Sequence, residues 1–284
     1  MTDRLGLMKI PVSALSAAAA VLGRAACAPR HPAAALYAGA CVFLLTAGAG
    51  TLNNYQDRHF DGGLERTRRR PLPSRRLRPW QALAQAGLLL SSGLAGLFLY
   101  SSSPRAPLAG VMAVLLYNAL YTPLKKKTLL ALIPGILCGT LPPLIGWSAA
   151  GGELFSPRIG YLMLLFGVWQ LPHLWLLILA NSRDELRRET ASLLDSLPAP
   201  RMQRLVIIWA AAFAFLTLYL KVLRFIASGA FAVPLVLNAF VLPLIFFAAL
   251  NKPWSPARAR YLSRYLNVSM LAVTLMAAAD TLLH

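Results

Sequence analysis

Nine long apolar stretches dominate this sequence and limit what the chain can fold into. Each is about as long as a helix that crosses the hydrocarbon core of a bilayer, which needs about 20 residues. They cover residues 8–25, 33–54, 80–102, 106–123, 128–149, 157–181, 204–226, 229–250 and 262–283. Charged residues make up only 13% of the chain, against about 25% in soluble domains. The sequence therefore predicts an all-α integral membrane protein embedded in the lipid bilayer, with one membrane domain over residues 1–284.

Basic residues lie between these stretches and set the expected orientation. The formal net charge is +18, but nucleic-acid binders carry such charge on soluble folds or tails, so we expect no nucleic-acid partner. A cytoplasmic N-terminus puts 22 of the 28 basic residues on the cytoplasmic side, as the positive-inside rule requires. The C-terminus is then expected on the opposite side. That side keeps six basic residues, Arg24, Arg30, Arg105, Arg158, Lys221 and Arg224.

The first apolar stretch is expected to remain in the chain as a membrane helix. Cleavable signal peptides begin with a positive region and end at small residues. Here Asp3 offsets Arg4, and Arg24 lies beside the small residues that would form the cleavage site.

The strongest chemical signal is a polar stripe at the end of the second apolar stretch. Asn53, Asp57 and Asp61 are four residues apart, so on a helix they share one face, and Gly62-Gly63 is expected to end that helix. Two carboxylates and an amide oxygen suit Mg²⁺, which completes its shell with water and substrate phosphate. Solvated acids at a helix end are the alternative, but carboxylates near a membrane core are costly without a partner. We therefore predict a metal site.

An arginine-rich segment follows the stripe, between residues 66 and 78. Most of these arginines are expected to contact lipid headgroups, as cytoplasmic charges of a membrane protein do. Arginine also binds phosphate with two parallel hydrogen bonds, so Arg66 and Arg70 beside the acids would form a diphosphate cradle. Together the two segments predict phosphate-ester chemistry on a lipid-like substrate.

Four separated motifs, in the expected order, resemble the UbiA superfamily of intramembrane prenyltransferases, and within it the enzymes that farnesylate heme. The resemblance runs from about residue 50 to 190. The motifs are Asn53-x-x-x-Asp57-x-x-x-Asp61, Arg66-Thr67-x-x-Arg70-Pro71-Leu72, Tyr121-Thr122-Pro123-Leu124-Lys125-Lys126-Lys127-Thr128 leading into Gly139-Thr140-Leu141-Pro142-Pro143, and Trp169-Gln170-Leu171-Pro172-His173.

The resemblance implies about nine helices around a central cavity that faces the cytoplasm and holds farnesyl diphosphate and heme B. It implies Mg²⁺ as the cofactor, and transfer of the farnesyl group to a heme vinyl group during heme A biosynthesis. It also implies a multi-pass protein of the bacterial cytoplasmic (inner) membrane. A heme A synthase or another oxidase-assembly protein is a candidate partner on the same ground.

Two further groups of residues are candidates for substrate binding. Lys125 and Lys126 could reach a diphosphate as point charges, or could simply set topology. Tyr117 and Tyr121, one helical turn apart, could bind phosphate, line the cavity or belong to the interfacial aromatic belt.

The last motif places an ionisable residue inside an apolar stretch. His173 follows Trp169 and Gln170, and an intramembrane histidine is by default a functional candidate. It could ligate heme iron or hydrogen-bond the porphyrin, or only bond a neighbouring helix.

Asp184 is the expected second acidic site, acting as a metal ligand opposite the stripe, but its surroundings depart from the family pattern. Glu185 replaces the usual tyrosine, Glu189 lies in a changed stretch, and Ala131 replaces a common asparagine. These departures keep two alternatives open. One is a prenyltransferase acting on another acceptor, such as a quinone precursor or another tetrapyrrole, and the other is a non-catalytic transporter or assembly factor.

Overall fold

The computed structural model describes residues 2–180, 198–252 and 255–283 of the chain. Within these ranges the secondary structure is helical, with no strand. Nine of the described helices are long and apolar enough to cross a membrane. The predicted all-α membrane architecture is therefore confirmed.

The helix boundaries follow local sequence signals. Proline stands at the first or second position of six of the long helices, where its missing N–H costs nothing and its fixed φ favours helix. The helices are α1 (Thr2–Leu7), α2 (Ile10–Cys27), α3 (Pro32–Gly62), α4 (Pro79–Tyr100), α5 (Arg105–Val114), α6 (Thr122–Leu124), α7 (Leu132–Ala149), α8 (Pro157–Ala180), α9 (Ala199–Val222), α10 (Gly229–Leu250) and α11 (Pro256–Leu283). A π-helical segment, Leu115–Tyr121, joins α5 to α6, so that the three pieces form one span.

Helix α3 runs past the predicted end of its span at residue 54 and stops at Gly62, so the predicted stop at Gly62-Gly63 is confirmed. Its 31 residues are about 46 Å long at 1.5 Å per residue, whereas the hydrocarbon core is about 30 Å thick. The last turns of α3 can therefore project beyond the apolar layer with the polar stripe on them.

Helices α2 and α7 pack closely in the middle of the fold. A Cβ atom added to Gly146 would lie 1.9 Å from the carbonyl oxygen of Ala20, and one on Gly23 would lie 2.0 Å from that of Pro143. Glycine at both positions is what allows the two backbones to touch. Although Pro142 and Pro143 favour a break, α7 continues through both.

The other helices surround this pair. Helix α3 packs between α2 and α4, while α8 contacts α7, α9 and α11, and α11 returns to α2. At the end where α3 terminates, Leu7 of α1 is buried with Leu72 and Ala82. This contact fastens the N-terminal helix to the segment that follows α3, beneath the polar stripe.

Candidate functional site

The polar stripe on the last turns of α3 is buried. Asn53, Asp57 and Asp61 are only 2%, 4% and 4% exposed, and the Asn53 side-chain amide donates to Asp57 Oδ2 at 2.9 Å. The three side chains share one face of the helix, as their spacing predicts. Buried carboxylates require compensating charge or hydrogen bonds, so their neighbours determine what the site can do.

Two lysines from the segment after α6 neutralise Asp57. Lys125 Nζ lies 2.5 Å from Asp57 Oδ2, and Lys126 Nζ lies 2.7 Å from Oδ1. The sequence left open whether both lysines reach a diphosphate or only set topology, and here they pair with Asp57. These ion pairs hold the three groups together, while Lys127, the third lysine of the run, is exposed.

Arg70 neutralises Asp61 in the same way. Its Nη1 atom lies 2.8 Å from Asp61 Oδ2, and the Thr67 hydroxyl donates to the Asp61 carbonyl oxygen at 2.9 Å. The loop after α3 therefore folds back on the end of the helix. Arg66 is exposed at its surface and lies within electrostatic reach of Lys9.

Lys9 completes the site, although no sequence pattern predicts it there. Its Nζ atom donates to Asn53 Oδ1 at 2.6 Å and to the Tyr117 hydroxyl at 2.9 Å. Burial and the nearby Arg70 lower the pKa of the Lys9 ammonium to about 8. Lys9 precedes Ile10, the first residue of α2, and has a φ of 49°. In the sequence, Lys9 is only a basic residue at the start of a membrane span, and the positive-inside rule explains it.

The π-helical segment brings the two candidate tyrosines to the site. The rings of Tyr117 and Tyr121 stack with centroids 5.6 Å apart, and Lys125 Nζ lies 5.6 Å from the centre of the Tyr121 ring. Insertions of π-helix are frequent at functional sites. Here the segment also turns Asn118 towards α3, where it exchanges hydrogen bonds with Gln56. Sequence reasoning missed this polar pair.

Helix α7 connects the tyrosines to the Trp169 motif on α8. The Gly135 position faces the Tyr121 ring, and one turn further Gly139 leaves space for Gln170, whose side-chain amide donates to the Ile136 carbonyl oxygen at 3.0 Å. A turn of helix separates its residues by about 6 Å. Tyr121 and Gln170 therefore lie against neighbouring positions of one helix.

Trp169 and His173 form a stacked pair on α8. Their ring centroids are 5.1 Å apart and the planes are inclined by 19°. Within the described residues, Trp169 Nε1 and His173 Nδ1 are buried without a hydrogen-bond partner. Asn267 of α11 lies beside the imidazole. The pair thus offers a flat aromatic face and two unsatisfied polar atoms.

The donor atoms of the stripe match the requirements of Mg²⁺. Asp57, Asp61 and Asn53 offer hard oxygen ligands, and Mg²⁺ is usually bound by one or two carboxylates together with water and phosphate. The part of the chain that the structure describes contains no cluster of three or more His, Cys, Asp or Glu residues able to hold a metal. The two carboxylates and one amide oxygen of the stripe leave coordination positions for water and substrate phosphate. Asp184, Glu185 and Glu189 lie outside the described residues.

Four cations, Lys9, Arg70, Lys125 and Lys126, thus surround two carboxylates, and the surplus of positive charge favours a bound anion. The roles assigned to these residues, and a central cavity that faces the cytoplasm, remain predictions.

Comparison with known proteins agrees with the family resemblance seen in the sequence. Residues 13–272 match the UbiA prenyltransferase family. Over 242 residues the chain is 36% identical to the protoheme IX farnesyltransferase of Oleidesulfovibrio alaskensis. The alignment covers 84% of this chain and 82% of that protein.

Two solved structures are similar in fold. A UbiA homolog from Aeropyrum pernix K1 superposes with a TM-score of 0.71 at 20% identity, over 98% of this chain and 99% of that one. A UbiA homolog from Archaeoglobus fulgidus bound to GPP and Mg²⁺ gives a TM-score of 0.65 at 14% identity, again over 98% and 99%. At these identities the likeness supports the fold alone.

Proposed function

Because this chain belongs to the UbiA prenyltransferase family, we propose that it transfers a farnesyl group from farnesyl diphosphate to a vinyl group of heme B, which produces heme O. The observation that supports this most strongly is the arrangement of four cations around two buried acids at the end of α3. The acceptor is proposed from the relative named protoheme IX farnesyltransferase and from the stacked Trp169 and His173 pair.

The cations of the site would bind the diphosphate of the donor. Lys125, Lys126 and Arg70 are paired with carboxylates, and flexible side chains of this kind can turn from a carboxylate to a phosphate at low cost. Lys9 approaches the same space from α2. When the bond between carbon C1 and oxygen breaks, its electron pair stays on the diphosphate, and these cations stabilise the growing negative charge.

The acids would hold the metal once the cations turn to the diphosphate. Asp57 and Asp61, with Asn53 and the proposed ligand Asp184, would bind Mg²⁺, which adds further neutralisation of the leaving group. Ionisation leaves an allylic cation on the farnesyl chain. The heme vinyl group forms the new carbon–carbon bond with C1, and water then captures the resulting cation and releases a proton, which gives a hydroxyethylfarnesyl side chain.

Residues on α8 would position the heme. The flat face of the Trp169 and His173 pair suits a porphyrin, and the unsatisfied Nδ1 of His173 could accept a hydrogen bond from its rim or ligate the iron. Tyr121 and Gln170, which pack against neighbouring positions of α7, would lie between the donor and acceptor. Apolar neighbours would keep water from the cation until the vinyl group reacts.

We propose that the acid-bearing end of the bundle faces the cytoplasm, because the positive-inside rule puts the more basic side there. The bacterial inner membrane is proposed from the family and from the relative named above. A heme A synthase or an oxidase-assembly protein is the proposed partner that receives the product.

Binding of a non-hydrolysable farnesyl diphosphate analogue tests the donor site. Mg²⁺ is expected to tighten binding at least about tenfold in the wild-type protein and in the control Glu65→Gln, whose carboxylate is exposed and pairs with the exposed Arg68 at 3.6 Å. In Asp57→Asn the Mg²⁺ effect should disappear while the protein stays folded. An Asp57→Asn protein that still responds fully to Mg²⁺ would exclude this metal site.

A further inference from the structure

A cavity of about 260 Å³ lies at the opposite end of the bundle from the acids. It is bounded by α2, α3 and α4, with Arg24, Tyr37, Gly96 and Tyr100 in its wall. Arg24 belongs to the last turn of α2, about 22 Å along the helix axis from Lys9. The cavity is therefore separate from the site described above, and it could hold several water-sized groups of about 30 Å³ each.

Arg24 brings an unsatisfied charge into this cavity. Its Nη1 atom is buried, and no described residue accepts a hydrogen bond from it. The ion pairs formed by Asp3, Asp57, Asp61 and Glu65 all lie at the acid-bearing end. A buried N–H that has no acceptor is costly, and an anion bound beside Arg24 would satisfy it.

A second arginine strengthens the positive field at this end. The Nε atom of Arg158 is also buried without a partner in the described residues, and its guanidinium carbon lies 4.8 Å from the centre of the Phe225 ring. Cys27 is within electrostatic reach of both Arg24 and Arg158. The positive charge of Arg24 in the cavity wall, with Arg158 near the same end of α2, favours a phosphate-type anion, which accepts paired hydrogen bonds from arginine.

The wall of the cavity indicates where the anion comes from. Tyr37 and Tyr100 pack with ring centroids 4.6 Å apart, and they are 39% and 71% exposed. Tyrosines of this kind mark the level of the headgroups in a bilayer. We propose that this cavity binds the phosphate of an anionic phospholipid headgroup, with Arg24 as its anchor.

Native mass spectrometry of the delipidated protein tests this assignment. The probes are phosphatidylglycerol, diacylglycerol with the same acyl chains, and millimolar inorganic phosphate as a competitor. Wild-type protein should retain one phosphatidylglycerol at least about tenfold more tightly than diacylglycerol. Arg24→Gln should lose this preference. Arg105→Gln, which alters an exposed arginine at the same end, should keep it.

Each remaining outcome decides against the proposal. Equal retention of the two lipids by the wild-type protein would overturn it without any variant, so a misfolded Arg24→Gln protein does not block the test. Full preference for phosphatidylglycerol in Arg24→Gln would exclude Arg24 as the anchor. Complete displacement of the lipid by inorganic phosphate would identify a free-anion site instead of a headgroup site.

Discussion

Lys9 shows most clearly how a residue acquires a role through tertiary structure. In the sequence it is one of many basic residues beside an apolar stretch, and the positive-inside rule explains it fully. In the fold it contacts Asn53 and Tyr117, which are far from it in the chain. Local patterns report which residues share a helix face, as they did for Asp57 and Asp61, but they contain no information about which helices become neighbours.

Replacing Lys9 tests its proposed contact with the donor. Lys9→Met should lower kcat/KM by about 10- to 100-fold, because each tenfold loss corresponds to about 1.4 kcal/mol of lost transition-state stabilisation and one cation facing the diphosphate is removed. Lys127→Met removes an exposed lysine near the same end and should leave kcat/KM unchanged. Steady-state kinetics with farnesyl diphosphate measures both, and equal activity of Lys9→Met and wild type would show that Lys9 serves packing only.

At the scale of elements, the sequence predicted the number and approximate ends of the long helices because hydropathy and proline positions determine them locally. It did not predict the π-helical segment Leu115–Tyr121, since an added residue in one turn leaves the apolar composition unchanged. That segment directs Tyr117 and Asn118 towards α3. The sequence contains the glycines of the close crossing between α2 and α7, but it did not predict that these two helices pack together.

Two glycine substitutions distinguish a helix crossing from an ordinary helical position. Gly146→Ala would place a Cβ 1.9 Å from the Ala20 carbonyl oxygen, so the backbones must separate, and we expect a loss of about 1–3 kcal/mol. Gly87→Ala meets no atom within 4 Å and should stabilise α4 by up to about 1 kcal/mol. Thermal unfolding followed by fluorescence-detected size exclusion reports both. A Gly146→Ala protein as stable as Gly87→Ala would contradict the described packing.

At the scale of the whole molecule, positive charge is distributed unevenly between the two ends. The acids, their four cations and the arginine-rich loop lie at one end, and the cavity with Arg24 lies at the other. The sequence predicted this asymmetry because loop charges can be counted directly. The proposed second acidic site at Asp184 lies outside the described residues and remains a prediction.

Cysteine accessibility tests the orientation of the molecule. The positive-inside rule places Lys127, near the acids, in the cytoplasm. A cysteine at position 127 should therefore react with a membrane-impermeant thiol reagent only in inside-out vesicles. A cysteine in place of Arg105 should react in right-side-out vesicles. The parent protein, with Cys27, Cys41 and Cys138, gives the background. The reverse pattern would mean that the site faces away from the cytoplasm.

Farnesylation of heme B at the acid stripe of α3 can be tested in cells. The most direct measurement is mass spectrometry of hemes extracted from cells that lack their own heme O synthase and express the wild-type chain, Asp57→Asn or Glu65→Gln at equal membrane levels. We predict heme O with the wild-type chain and Glu65→Gln, and only heme B with Asp57→Asn. Heme B alone with the wild-type chain would contradict the claim and direct attention to another acceptor.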